Sequence, residues 1–307
     1  MDRRTFLAAT ALLLAGCRPR SSRTTIGSKN FTEQLILGEL LAQYLQPFAP
    51  RGIERRFYLA GTYICHQALL AGRIDMYVEY TGTALAAILK DRNVAHDHAA
   101  VFQHVKEEYA RRFNLEVMPP LGFDNSFAIV MRGADARRFG LVRLSQLSPV
   151  SPQLRMGVGY EFLERPDGYA GLARTYNLHF AEAPRVMDLG LMYRALESHQ
   201  VDLIAAANTD GLIAARDLVV LKDDLYYFPP YDAVPIVRRQ SLQESPQIRD
   251  ALVRIGGKIS AEDMRRMNYA VDGEKKDAAI VAGQFLQERN WFARMTEPTE
   301  FYRSAAL

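Results

Sequence analysis

Cysteine is nearly missing. The 307 residues hold two, Cys17 and Cys65, so no disulfide framework can carry the fold and stability has to come from a packed core. Past the N-terminus no stretch approaches the roughly 18 uninterrupted apolar residues that a spanning helix needs. An excess of one charge is missing too: 38 Lys and Arg against 35 Asp and Glu leave a formal net charge of +3. With acids and bases mixed along the chain, no basic block is available to grip nucleic acid. Signatures of catalysis are equally scarce. There is no Gly-x-Ser-x-Gly, and Gly157-x-Gly159 lacks the third glycine and following helix of a dinucleotide loop. His96, His98 and His104 lie in a polar stretch without the i, i+4 pairing that zinc favours, so they read as solvated surface and no metal or cofactor is expected. Cys65 stands beside His66, but neighbours on a helix point about 100° apart, which aims this imidazole poorly at this thiol. Cys65 therefore reads as a buried structural thiol, and an enzyme using it or a histidine is the rival to a non-catalytic protein.

Apolar residues make up 49% of the chain, enough for two domains of ordinary size. The first residues read as an address. Asp2-Arg3-Arg4 supplies a basic start, 6–15 is an apolar run too short to span a bilayer, and small residues follow. Leu14-Ala15-Gly16-Cys17 resembles a bacterial lipobox, so 1–17 is expected to be a signal peptide with its lipobox, and Cys17 the lipidated first residue after cleavage. The paired arginines also resemble a twin-arginine export signal. Export is expected by either route, leaving a protein tethered to the membrane through its lipid.

The densest information sits at Gly72-Arg73-Ile74-Asp75-Met76-Tyr77-Val78-Glu79-Tyr80-Thr81-Gly82-Thr83. Ile74, Met76 and Val78 alternate with Asp75, Tyr77 and Glu79, the period of a strand, and Thr-Gly-Thr then opens an Ala/Leu-rich helical run. In open α/β sheets, ligands sit beyond the carboxyl ends of strands, where helix N-termini offer free N–H groups. Tyr80 and Thr83 are placed at such an edge. A similar corner follows Thr24-Thr25-Ile26-Gly27-Ser28, where Lys29 precedes a helix with a capping-box spacing of Asn30 and Glu33. Thr62 is expected to cap a short helix within 61–70. His199-Gln200-Val201-Asp202-Leu203-Ile204 repeats the hydrophobe-Asp-hydrophobe pattern of 72–77, as two similar lobes facing one cleft require. Two proline-marked strand starts, before Phe127 and at Phe228-Pro229-Pro230-Tyr231, suit crossings between lobes. The expected layout is a first lobe over 23–125, a second over 126–226, and a return to the first over 227–307, whose helices include one capped by Ser260.

The Gly72–Thr83 wording resembles the signature of the osmoprotectant-binding proteins, substrate-binding subunits of ABC importers for glycine betaine, choline and related quaternary ammonium compounds. Ser28-Lys29-Asn30-Phe31-Thr32-Glu33-Gln34 resembles the family as well. So do 160–168, Thr209-Asp210-Gly211, 225–231 and Met264-Arg265-Arg266-Met267-Asn268, all in family order. The resemblance implies an α/β, two-lobed periplasmic-binding-protein-like (type II) fold with two hinge crossovers, and an ABC permease in the inner membrane as partner. A quaternary ammonium has no N–H to donate, so aromatic faces must hold it, each contributing about 0.5–2 kcal/mol. Carried over residue by residue, the likeness puts Tyr80, Phe127 and Tyr193 on an aromatic cage and Lys29, Thr83 and Arg165 on the solute's carboxylate. Asn30, Asn125 and Asn208 are candidate polar contacts. Two departures stand out: Phe127 where many relatives have tyrosine, and Ala207 where many have a further tyrosine. Tyr231, Tyr160 and Tyr63 are candidates to fill the missing wall. A cage shaped for a bulkier solute, such as an ergothioneine-like trimethylated amino acid, or for a polar amino acid, is the alternative within the same fold.

Overall fold

The computed structural model describes residues 23–91 and 97–291. The expected signal peptide with Cys17, the histidine at 96 and the tail beyond 291 lie outside the described residues.

The chain builds two five-stranded sheets of matching topology. The first runs β2-β1-β3-β10-β4 and the second β7-β6-β8-β5-β9. In the first, β1 (Thr24–Gly27) lies parallel to β2 (Ile53–Arg56) and β3 (Met76–Tyr80), while β10 (Ala233–Arg238) enters antiparallel between β3 and β4 (Leu115–Val117). In the second, β6 (Met156–Val158) is parallel to β7 (Arg185–Val186) and β8 (Leu203–Ala207), and β5 (Phe127–Arg132) enters antiparallel between β8 and β9 (Leu218–Leu221). Each sheet thus receives one strand that has crossed from the other half, which makes the architecture α/β, two-lobed and doubly hinged.

The two crossings run side by side. Asn125 N–H donates to the Tyr231 carbonyl (3.0 Å), and Ala233 N–H to the Phe123 carbonyl (3.1 Å). Asp124 and His98 add side-chain ties here: the Asp124 carboxylate accepts from the Tyr231 N–H, and His98 Nδ1 lies 2.9 Å from Asp232. His98, Asp124 and Asp232 hold their ligand atoms within 4.8 Å of one another, as braces between the crossing strands and the helix His98–Phe113. His104 faces Asp91 on the surface.

The repeated hydrophobe-Asp-hydrophobe pattern has one structural job in both halves. Asp75 accepts from the Thr25 backbone N–H (2.8 Å) and from the Ser241 hydroxyl (2.6 Å). Asp202 accepts from the Arg155 backbone N–H (2.9 Å) and from the guanidinium groups of Arg155 and Arg132. Each aspartate closes the gap between adjacent strands, supplying an acceptor to an N–H that the ladder leaves open.

Sequence alternation in 74–79 reads as a half-buried strand, yet all five residues of β3 are buried. Helices cover both faces. Met76, Val78 and Tyr80 join the core beneath the helix Thr32–Leu45, while Tyr77 packs with Cys65, Leu69 and Tyr109 on the other side. The alternating polar positions are buried with partners, Asp75 as above and Glu79 on Lys29.

Two expected caps are corrected. The helix at Thr32–Leu45 begins after Phe31 with no side-chain cap, because the Glu33 carboxylate is drawn away to partners distant in sequence. The helix Thr62–Leu70 begins after Gly61, so Thr62 is its first residue, and its N–H donates to Glu161 of the other half (2.6 Å). Gly61 is needed for that approach, since a Cβ there would lie 2.0 Å from Glu161 Oε1. Ser260 caps Ala261–Asp272 as expected, in a capping box with Asp263. The last helix, Ala278–Glu288, lies against Thr32–Leu45, where Gln43 donates to the Ala279 carbonyl (2.8 Å).

Candidate functional site

Both corners singled out in the sequence open onto one seam between the halves. At its centre stands Glu33, 3% exposed. Its carboxylate accepts from the Tyr80 hydroxyl at 2.6 Å, from Asn125 Nδ2 at 2.7 Å on the crossing strand, from the Thr209 hydroxyl at 2.6 Å in the second half, and from Asn268 Nδ2 at 3.0 Å on the helix Ala261–Asp272. Burial raises the Glu33 carboxyl above the usual range, and the bonds from Thr209, Tyr80, Asn268 and Asn125 pull it partly back. All four donors are neutral.

Next along the seam is Asp210, which accepts from the Tyr193 hydroxyl (2.7 Å). Burial pushes its carboxyl up to about 6; the Tyr193 and Ala207 donors work against this, and the charges of Glu33 and Asp272 add to it. Tyr80 from one half and Tyr193 from the other therefore end on carboxylates that sense one another, with Thr209 joining them. Tyr80 also takes a bond from Gln34 (3.1 Å) and stacks on Phe31 at 6.5 Å.

A second cluster lies around Arg165, 4% exposed. Its guanidinium forks onto Asp167, donates to the Thr83 hydroxyl across the seam at 3.0 Å, and rests 5.1 Å from the Phe127 ring centre and 5.8 Å from that of Tyr231. The Tyr231 hydroxyl donates to Asp167 as well. Phe127 completes the cluster with Phe162 and Phe228 at 4.7 and 5.7 Å.

The expected residues thus fall into groups. Thr83, Phe127 and Arg165 meet directly. Tyr80 and Asn125 meet on Glu33, and Lys29 lies over the Tyr80 ring at 4.9 Å with its ammonium on Glu79. Tyr193 reaches the same seam through Asp210. Among the described residues no ring contact joins any two of Tyr80, Phe127 and Tyr193. Asn208 turns to the crossing strand, donating to Ser126 (3.1 Å) and Asp124. Asn30 contributes a backbone N–H to the Ala60 carbonyl (3.1 Å). Of the tyrosines considered for the missing wall, Tyr231 belongs to the Arg165 cluster, whereas Tyr160 and Tyr63 are exposed. Glu33, Thr209, Asp210 and Asn268 were not picked out as site residues from sequence. Each lies in a segment that resembles the family, which is the signal that could have found them.

Cys65 and His66 are not poised for chemistry. Burial pushes the Cys65 thiol up to about 12, and burial pulls the His66 imidazole down to about 4, so neither thiolate nor imidazolium is present at neutral pH. His66 packs edge-on to Phe113 at 4.8 Å and Tyr109 at 5.7 Å. A base whose pKa drops on folding stabilises the native state fully above its ordinary value of about 6.5 and loses that contribution as pH falls towards 4. The loss is roughly 3 kcal/mol. Urea unfolding at pH 7 and pH 4.5 should show wild type losing more stability than His66→Phe; equal losses would remove His66 from the account.

Two lobes, two hinges and a seam carrying buried polar and aromatic groups define a substrate-binding protein of the type II class. Residues 23–288 match the family described as the substrate binding domain of the ABC-type glycine betaine transport system, and the chain belongs to that family. It is 32% identical over 294 residues to the carnitine transport binding protein OpuCC of Listeria monocytogenes, covering 93% of this chain and 95% of that one. It is 35% identical to the ergothioneine transport permease/ergothioneine binding protein EgtU of Helicobacter pylori over 263 residues, which are 85% of this chain and 47% of that longer protein. A crystal structure of a glycine betaine/carnitine/choline ABC transporter protein superimposes with a TM-score of 0.73 at 30% identity, covering 88% of this chain and 99% of that one. No described helix is long and apolar enough to cross a membrane.

Proposed function

We propose that this protein is an extracytoplasmic lipoprotein, anchored through Cys17, that closes around a quaternary ammonium osmoprotectant such as glycine betaine or choline and presents it to an ABC permease in the inner membrane. The observation that carries this reading is the meeting of Tyr80 and Tyr193, from opposite lobes, on the neighbouring carboxylates Glu33 and Asp210. Aromatic faces beside buried negative charge are what a greasy cation without N–H donors needs. In this reading Phe127 is the third ring, and the solute's carboxylate draws on two cations, Lys29, paired with Glu79, and Arg165, paired with Asp167 and bonded to Thr83. Closure selects the state the permease reads.

Titration calorimetry of the mature domain with glycine betaine, choline, carnitine and proline betaine tests the reading. At least one should bind, and Tyr80→Ala should weaken it by roughly thirtyfold, the worth of one desolvated ring at about 2 kcal/mol. Silence from every quaternary amine would sink the assignment.

One observation favours a second solute. Ala207 lies directly across the ladder from Phe127 and offers only a methyl group beside that ring. A small residue at that position suits a bulkier trimethylated amino acid, and the relative from Helicobacter pylori carries ergothioneine in its name. Ergothioneine belongs in the same titration.

A further inference from the structure

The place where the chain crosses between lobes carries its own cluster of titratable groups, outside the two clusters of the seam. Asp124 lies on the first crossing and Asp232 on the second, facing one another across an isolated antiparallel bridge, and His98 reaches them from the start of the helix His98–Phe113. One ligand atom from each, an imidazole nitrogen and two carboxylate oxygens, falls within 4.8 Å of the others. His98 Nδ1 is 2.9 Å from one Asp232 oxygen and 3.1 Å from the other. Charge is out of balance here. Among the described residues no lysine or arginine pairs with Asp124 or Asp232, so even a protonated imidazole cancels only one of the two negative charges. Burial raises the Asp232 carboxyl, the bond and charge of His98 pull it back, and the charge of Asp124 raises it again. A neutral oxygen lies close by. Asn208, from the second lobe, touches Asp124 with its Nδ2 at 3.4 Å, while its Oδ1 is buried without a partner. A half-turn of the amide brings that oxygen to the carboxylate, since the two ends of a carboxamide have nearly the same shape.

We propose that His98, Asp124 and Asp232 bind a first-row divalent cation of the zinc type, with Asn208 Oδ1 available as a fourth ligand. One imidazole with two carboxylates is a donor set such ions take, and bonds of about 2.0–2.2 Å leave the ligand atoms roughly 3–3.5 Å from one another. Starting within 4.8 Å, the set needs only side-chain rotation to draw in. The His98 side chain is 59% exposed, so it is free to turn and the ion can enter from solvent. Asp124 accepts the Ser126 and Tyr231 N–H groups, and a carboxylate with about four acceptor positions has capacity left for a cation. The nitrogen ligand sets the site apart from calcium and magnesium, which take oxygen. No i, i+4 spacing announces the set, because its three members come from separate stretches of the chain. A bound ion joins both crossings to a helix of the first lobe and so stiffens the hinge on which closure turns.

Zinc chloride titrated by calorimetry into the chelator-treated mature domain, without solute, should show one site per chain. His98→Ala, which removes an exposed side chain, and Asp232→Asn, which keeps the shape and removes the charge, should each weaken that site by at least about tenfold, since losing a group that merely supports a ligand already costs roughly 10–100-fold. His104→Ala, which breaks a similar histidine–aspartate contact with Asp91 on the same helix, should leave zinc binding as it is. Hydrogen exchange locates the ion. Zinc should slow the amides of Asn125 and Ala233, which bond across the two crossings, in wild type and not in His98→Ala. No zinc site, a site that survives both substitutions, or an equal loss in His104→Ala overturns the proposal. Solute takes no part in the experiment, so its outcome is separate from that of the quaternary-ammonium reading.

Discussion

Replacing Lys29 by methionine should lower the unfolding free energy by about 3–5 kcal/mol, the cost of leaving one member of a buried ion pair alone. Glu79 is fully buried and Lys29 2% exposed. Without the ammonium, Glu79 keeps, among the described residues, the Tyr80 N–H at 2.8 Å and the Tyr77 hydroxyl at 3.2 Å, too little to replace the lost hydration of a charge. The double variant K29M/E79L should recover much of the loss, since a buried pair contributes little net stability over a well-packed apolar one. Urea melts of the two singles and the double give the coupling directly. A loss below about 1 kcal/mol in K29M would mean the pair behaves as a surface pair and that the corner is open to water. The same variants separate structure from binding. If Lys29 also reaches a solute carboxylate, K29M/E79L will be stable yet still impaired for a zwitterion, while its grip on choline will be largely kept.

The Glu33 corner marks where local sequence pattern stops carrying structural information. Strand-to-helix corners at Lys29 and Tyr80 were legible because alternation, a turn and a helical run are local patterns. So were the two crossings, marked by prolines, and the repeat of the Asp75 pattern at Asp202, which points to two similar lobes. The three-residue spacing from Asn30 points Glu33 to a capping box. Its actual partners lie 92, 176 and 235 residues away at Asn125, Thr209 and Asn268, beyond any window in which spacing carries information. Thr62 fails for the same reason: its helix is capped from the other lobe by Glu161, 99 residues on. Groups that work across the seam belong to no single element, so no periodicity announces them. What did reach them was the wording of whole segments, which places Thr209 and Asn268 in family order without assigning either a role.

Arg165→Met should cost a further large sum, about 3–5 kcal/mol, because Asp167 is 8% exposed and loses its bidentate partner. The effect should divide into two parts. Arg165→Lys keeps the charge but cannot fork onto Asp167, reach Thr83 and lie flat between Phe127 and Tyr231 at once, so it should lose a smaller but clear share of stability. Thr83→Val removes only the bond across the seam. Its partner in the second lobe stays paired with Asp167, so unfolding should change by less than about 1.5 kcal/mol, the scale of one hydrogen bond. Solute binding should nonetheless weaken by up to roughly tenfold, since a ligand held by the closed form contributes the free energy of closing, and about 1.4 kcal/mol is one decade of affinity. Small-angle scattering with and without solute reads closure independently. If Thr83→Val binds solute as wild type does while Arg165→Met unfolds, Arg165 is a brace within its own lobe and the clasp between lobes must be sought at the other bonds across the seam, Thr209 to Glu33 and Thr62 to Glu161.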